Sequence, residues 1–132
     1  MKLLRRTLYY QAALWTTCGL AIAVAPRWVL VGVFAQVPYP DYGYVRVCGA
    51  MSVGLALVMV LVAQRIEDVW WWSWAFALTD AAVVTITALN ALFGRPEGSG
   101  ALLWWLFAAL NAALLSGILI GMAETGHEKP IT

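Results

Sequence analysis

Four apolar runs of near-membrane-spanning length constrain this chain more than any other feature. They cover Leu8 to about Ala25, Tyr44 to Ala63, Val69 to Phe93 and Ala101 to Met122. An α-helix rises about 1.5 Å per residue, so about 20 apolar residues cross roughly 30 Å of hydrocarbon. Each run approaches or exceeds that length. None alternates polar with apolar residues as a membrane β-strand does. The chain has 132 residues, of which 63% are apolar and 11% charged; soluble domains carry about 25% charge. The expected class is all-α: an integral membrane four-transmembrane-helix bundle forming a single domain over 1–132. A polar C-terminal tail, 123–132, is expected to be disordered.

The connections sharpen this expectation. Pro26 ends the first run, and Trp28–Phe34 is apolar but too short to span. It reads as an interfacial segment between helices 1 and 2, with Trp28 at headgroup depth. Pro38 and Pro40 keep the next stretch extended or turning, and Asp41 suits a cap of helix 2. Gly94-Arg95-Pro96 breaks the chain before helix 4. Lys2, Arg5 and Arg6 ahead of an apolar run also suit a secretory signal. Pro26 lies at or just after the plausible cleavage points, so the run is read as a retained helix. With both termini in the cytoplasm, Lys2, Arg5, Arg6, Arg65 and Lys129 lie inside, and Arg27, Arg46 and Arg95 lie outside. That balance favours the cytoplasmic placement of both termini.

Asp80 lies near the middle of the third run. An ionised carboxylate there costs several kcal/mol, roughly 2.5–3.5 on insertion scales. Asp80 should therefore face protein or trapped water rather than acyl chains. Counting inward from the run ends puts Asn111, Thr16 and Thr17, and Ser52 with Gly54, at about the same depth. One reading is a polar layer that fastens the helices. The other is a midplane pocket in which Asp80 and Asn111 hold a lipophilic ligand. Phe76 and Thr87 share a helical face with Asp80, as Trp104 and Phe107 do with Asn111. Apolar walls with few polar points are the usual character of a small-molecule site. Arg46 either snorkels to the headgroups or reaches inward toward Asp80 through a bridging water or ligand.

Several functions lack residues to carry them. His127 is the sole histidine and lies in the tail. No Cys/His/carboxylate cluster has metal-ligand spacing, and there is no phosphate loop or nucleophile elbow. No cofactor is implied. Nothing basic and aromatic is interleaved for nucleic acid. Cys18 and Cys48 fall inside spans and suggest no disulfide framework.

The punctuation resembles the DoxX-like group of small bacterial four-helix membrane proteins. Gly19 and Pro26-Arg27 end helix 1, Arg46-Val47-Cys48-Gly49 opens helix 2, Gly54-Leu55-Ala56-Leu57 continues it, and Gly94-Arg95-Pro96 precedes helix 4. The architecture is also similar to the sterol-isomerase and sigma-two-receptor fold, whose bundle holds lipophilic ligands around acidic residues. That resemblance implies a role for Asp80, but the second carboxylate and histidine of an isomerase site are missing. Small multidrug transporters and fluoride channels do not fit, because their membrane Glu or Phe track is absent. The expectation is a non-catalytic protein of the bacterial inner membrane that binds a lipophilic molecule or lipid around Asp80. An accessory subunit of a larger membrane complex, a proton-coupled transporter acting as a homo-oligomer and an isomerase-like enzyme are the alternatives.

Overall fold

The computed structural model describes residues 1–129, and these are helical with no strand. Four long helical segments account for most of them. Helix α1 runs Lys2–Val24, α2 runs Gly43–Gln64, α3 runs Ile66–Gly94 and α4 runs Leu102–Glu128. Helices α2, α3 and α4 are each long and apolar enough to cross a membrane. Helix α1, at 23 residues, matches them in length but stands outside that set. Tyr9, Tyr10, Gln11, Trp15 and its threonines dilute its apolar character.

The two largest departures from the expected helix boundaries are at the start of α1 and the end of α4. Helix α1 starts at Lys2, not Leu8, because its charged first turn faces outward while Leu4 and Leu8 are fully buried. Helix α4 continues to Glu128, so 123–128 is helix rather than a disordered tail. Thr125 explains this: it is fully buried, and its hydroxyl donates to Gly121 O at 2.7 Å. Residues 130–132 of the expected tail lie outside the described residues.

The short segment expected between helices 1 and 2 is a π-type helix, Trp28–Val33. Helix α3 is irregular at both ends. Ile66–Val69 is one α-turn, Trp70–Trp72 is a 3-10 turn, Ser73–Leu89 is regular α-helix, and Asn90–Gly94 relaxes to π geometry.

Helix α1 is the centre of the packing. It lies along α2 on one side and α4 on the other, and α4 lies along α3. Helices α2 and α3 meet only sparsely, and α2 scarcely touches α4. Glycines permit the close crossings, as small residues do between membrane helices. A Cβ at Gly19 would sit 2.6 Å from Gly49 O, and a Cβ at Gly121 would sit 2.8 Å from the Leu4 backbone. Gly54, by contrast, has nothing within 4 Å.

Each helix of the α1–α2 pair also supplies an arginine to the other's C-terminal carbonyls, which have no partner within their own helix. Arg5 Nε donates to Ala63 O at 3.1 Å, and Arg46 Nη1 donates to Ala23 O at 2.8 Å and Val24 O at 3.3 Å.

The dry core sits in one half of the molecule. Leu4, Leu8 and Ala12 of α1 meet Ala56, Met59 and Val62 of α2, Phe76 and Ala77 of α3, and Ile118 and Met122 of α4. This half carries both chain ends: the Met1 ammonium lies 3.5 Å from Glu128 Oε2. Loops 25–42 and 95–101 lie at the other end and are tied together by Gln36, which is 4% exposed. Its Nε2 donates to Phe34 O at 2.8 Å and Gly100 O at 2.9 Å.

Candidate functional site

Along α3, Ser73, Phe76, Ala77, Asp80 and Thr87 form the buried stripe. Their spacings of three, four and seven keep them on one helical face. Asp80 is fully buried within it. Its partner is Gln11 on α1, also fully buried, whose Nε2 donates to Asp80 Oδ1 at 2.6 Å. The pair is a direct polar bridge between α1 and α3.

Sequence reasoning assigned this level of α1 to Thr16 and Thr17 instead. Starting the helix at Lys2 moves its midpoint to about Ala13 and brings Gln11 into range. The signal was available: Gln11 is the one amide side chain in the first apolar run, three residues after Leu8 and four before Trp15. Of the hydroxyls expected in the layer, Thr17 and Ser52 bond to their own helices, as Ser and Thr readily do, and so does Thr79 beside Asp80. Thr17 donates to Ala13 O at 2.8 Å, Ser52 to Cys48 O at 2.9 Å, and Thr79 to Ala75 O at 2.8 Å.

Two oxygens of the Gln11–Asp80 pair have no partner, Asp80 Oδ2 and Gln11 Oε1. A primary amide and a carboxylic acid form a cyclic pair with two hydrogen bonds when the acid keeps its proton. The Gln11 Nε2 to Asp80 Oδ1 bond is one half of such a ring. A proton on Oδ2, donated to Gln11 Oε1, completes it and satisfies both atoms. An ionised Asp80 leaves two buried acceptors without donors, each at about 1–3 kcal/mol.

Just beyond this pair the helices diverge and a cleft opens. Its volume is about 180 Å³. All four long helices line it, among them Trp15 and Gly19 of α1, Ser52 of α2, Val83 of α3, and Phe107 and Asn111 of α4. Gln11 and Asp80 are not in its wall. They lie about one turn below its floor, since Val83 is three residues past Asp80 and Leu14, another lining residue, three past Gln11.

Asn111 is the polar point of the wall, at 6% exposure. Its Nδ2 donates to Phe107 O at 2.9 Å, and its Oδ1 has no partner. The Phe107 carbonyl can only accept, so nitrogen is the amide atom that faces it.

The remaining expected site residues are dispersed. Phe76 is packed in the core. Thr87 donates to Val83 O at 2.6 Å on its own helix. Trp104 Nε1 donates to Gln36 Oε1 at 3.2 Å in the loop knot. Arg46 caps α1 instead of reaching toward Asp80, because the carbonyls of Ala23 and Val24 are nearer and lack helical partners. Arg46 also borders a shallow outer groove with Pro26, Arg27 and Trp28. Among the described residues, no group of three or more His, Cys, Asp or Glu could hold a metal. Compared with protein-family models, curated proteins and solved structures, the chain matches none of them.

Proposed function

We propose that this chain is a four-span membrane protein that binds a lipophilic small molecule in the cleft beside Asn111, without transforming it. One observation carries the reading: all four helices line a mostly apolar cleft of about 180 Å³. An empty apolar cavity of about 150 Å³ admits a benzene-sized guest. Asp80 is a positioning residue here. It joins α1 to α3 under the floor and so fixes the cavity's base.

The fourth span is α1. At about 34 Å by helical rise it is long enough to cross. Its start lies beside the end of α4, and three crossings alone would separate those ends. Exposed Tyr10, Leu20, Val24, Met51, Leu57 and Ile120 then face acyl chains. The Lys and Arg balance favours cytoplasmic termini.

Photolabelling with an aryl diazirine in lipid nanodiscs tests the binding. Saturable labelling is expected at Trp15, Cys18 and Phe107, and Val83→Trp should abolish it by filling the cavity. Labelling of lipid-facing Leu57 should stay linear with probe in both proteins. If the cleft residues label no more saturably than Leu57, the binding reading fails.

A further inference from the structure

We propose that the groove between the end of α1, the Trp28–Val33 helix and the start of α2 seats one anionic phospholipid, its phosphate on Arg27 and Arg46 and its first acyl segment along Trp28 and Val31. This surface is separate from the cleft. The inference rests on the four-span reading above, which sets this end of the bundle at a bilayer surface.

The groove begins with Pro26. It is fully buried and has no N–H to donate, so α1 stops at Val24 and the chain turns directly into the short helix. Gly32 adds no side chain, and Trp28 lies over it: a Cβ there would meet Trp28 Cδ1 at 3.7 Å. The space left against α2 is an open groove of about 490 Å³, whose lining includes Pro26, Trp28, Val31 and the two arginines.

Charge selects the occupant. The lining holds Arg27 and Arg46 but no Asp or Glu. Among the described residues neither arginine forms an ion pair. Asp41, the acid nearest in sequence, accepts from Gly43 N at 2.9 Å instead. Arg46 is held in place through Nη1, which donates to Ala23 O and Val24 O and offsets the negative end of α1. Among the described residues its Nε and Nη2, and the whole Arg27 guanidinium, are left with donors to spare. Phosphate oxygens accept such donors in pairs. Trp28, 69% exposed, and Val31 give the same groove an apolar side, which suits glycerol esters and methylenes better than a fully hydrated anion. Without a carboxylate to match a choline or ammonium group, a headgroup of net negative charge fits better than a zwitterionic one.

The test uses the full chain in phosphatidylcholine nanodiscs that carry a trace of diazirine-labelled phosphatidylglycerol. Labelling of Trp28–Val33 is expected, and unlabelled phosphatidylglycerol should compete it away along a saturation curve. Extra phosphatidylcholine, inorganic phosphate and a soluble polyglutamate peptide should not. Arg27→Gln breaks no contact within the protein and should weaken the competition about fivefold, the weight of one arginine at an anionic surface. Arg65→Gln, at the far end of α2, should leave it unchanged. Arg46→Gln also loses the α1 cap, so Arg27→Gln carries the test. Equal competition by phosphatidylcholine, or labelling that no lipid competes, overturns the site. Displacement by phosphate or by the peptide overturns the lipid assignment. Labelling of lipid-facing Leu57 separates the two readings: if Leu57 labels and the groove does not, this inference alone fails, and if neither labels, the membrane reading fails with it.

Discussion

Asp80 and Gln11 show how little room the interior leaves for an unpaired polar atom. With a protonated Asp80 the two side chains close on each other, and no charge is buried. Asparagine at position 80 reproduces that ring, its carbonyl accepting from Gln11 Nε2 and its amide donating to Gln11 Oε1. Asp80→Asn is therefore expected to cost less than about 1 kcal/mol of stability. Asp80→Leu should cost about 1–3 kcal/mol, because it strands the Gln11 amide in the core. Adding Gln11→Leu to Asp80→Leu should recover part of that loss, as removal of both partners does. Unfolding by SDS in mixed micelles reads all of these. Asp80→Asn unfolding as easily as Asp80→Leu would end the acid–amide account. Infrared spectroscopy offers a second check, since a protonated carboxyl stretch should be present in the wild type and missing from Asp80→Asn. The burial of Asp80 against protein was legible from its place in an apolar run. Its partner was not, because depth counting depends on where α1 begins, and Lys2, Arg5 and Arg6 look like residues outside a helix. They belong to it because Leu4 and Leu8, on the opposite face, are buried.

At the scale of elements, the α1–α2 crossing is set by backbone contact. Gly19 and Gly49 bring the two chains so close that a methyl group on either strikes the other's carbonyl. Gly49→Ala should destabilise by about 1–3 kcal/mol, since backbone cannot yield as a flexible side chain does. Gly54→Ala meets nothing and removes a flexible residue from mid-helix, so it should be neutral or stabilise by up to about 1 kcal/mol. Thermal unfolding in detergent separates the two cases. A similar loss for both would mean that the crossing is not glycine-limited. Sequence alone does not distinguish the two glycines. Only packing tells them apart, because Gly49 faces α1 and Gly54 is exposed. The helix-rich architecture and the separateness of the short Trp28–Val33 segment were legible from run length and from Pro26. The end of α4 was not, since Glu124 to Glu128 reads as solvent-seeking unless Thr125 and Met122 are known to be covered by α1 and its neighbours.

At the scale of the whole molecule, the closed half and the open half divide the work. The half near the chain ends holds the shared aliphatic core, the Gln11–Asp80 bridge and the Arg5 cap. The other half holds the cleft. The cleft is complete only where α1 stays packed on its neighbours through its whole length, a provision the core alone does not meet. That provision makes the crossing of α1 the decisive global property. If α1 crosses, the chain makes four passages and both ends face the same compartment. If it lies along the surface, three passages place the ends on opposite sides, and the cleft loses the wall formed by Trp15 and Gly19. The contact between the Met1 ammonium and Glu128 supports the former. Reporter domains fused separately to the N-terminus and the C-terminus are expected to report the same side of the membrane, the cytoplasmic one. Opposite sides would remove α1 from the bundle and the proposed ligand site with it.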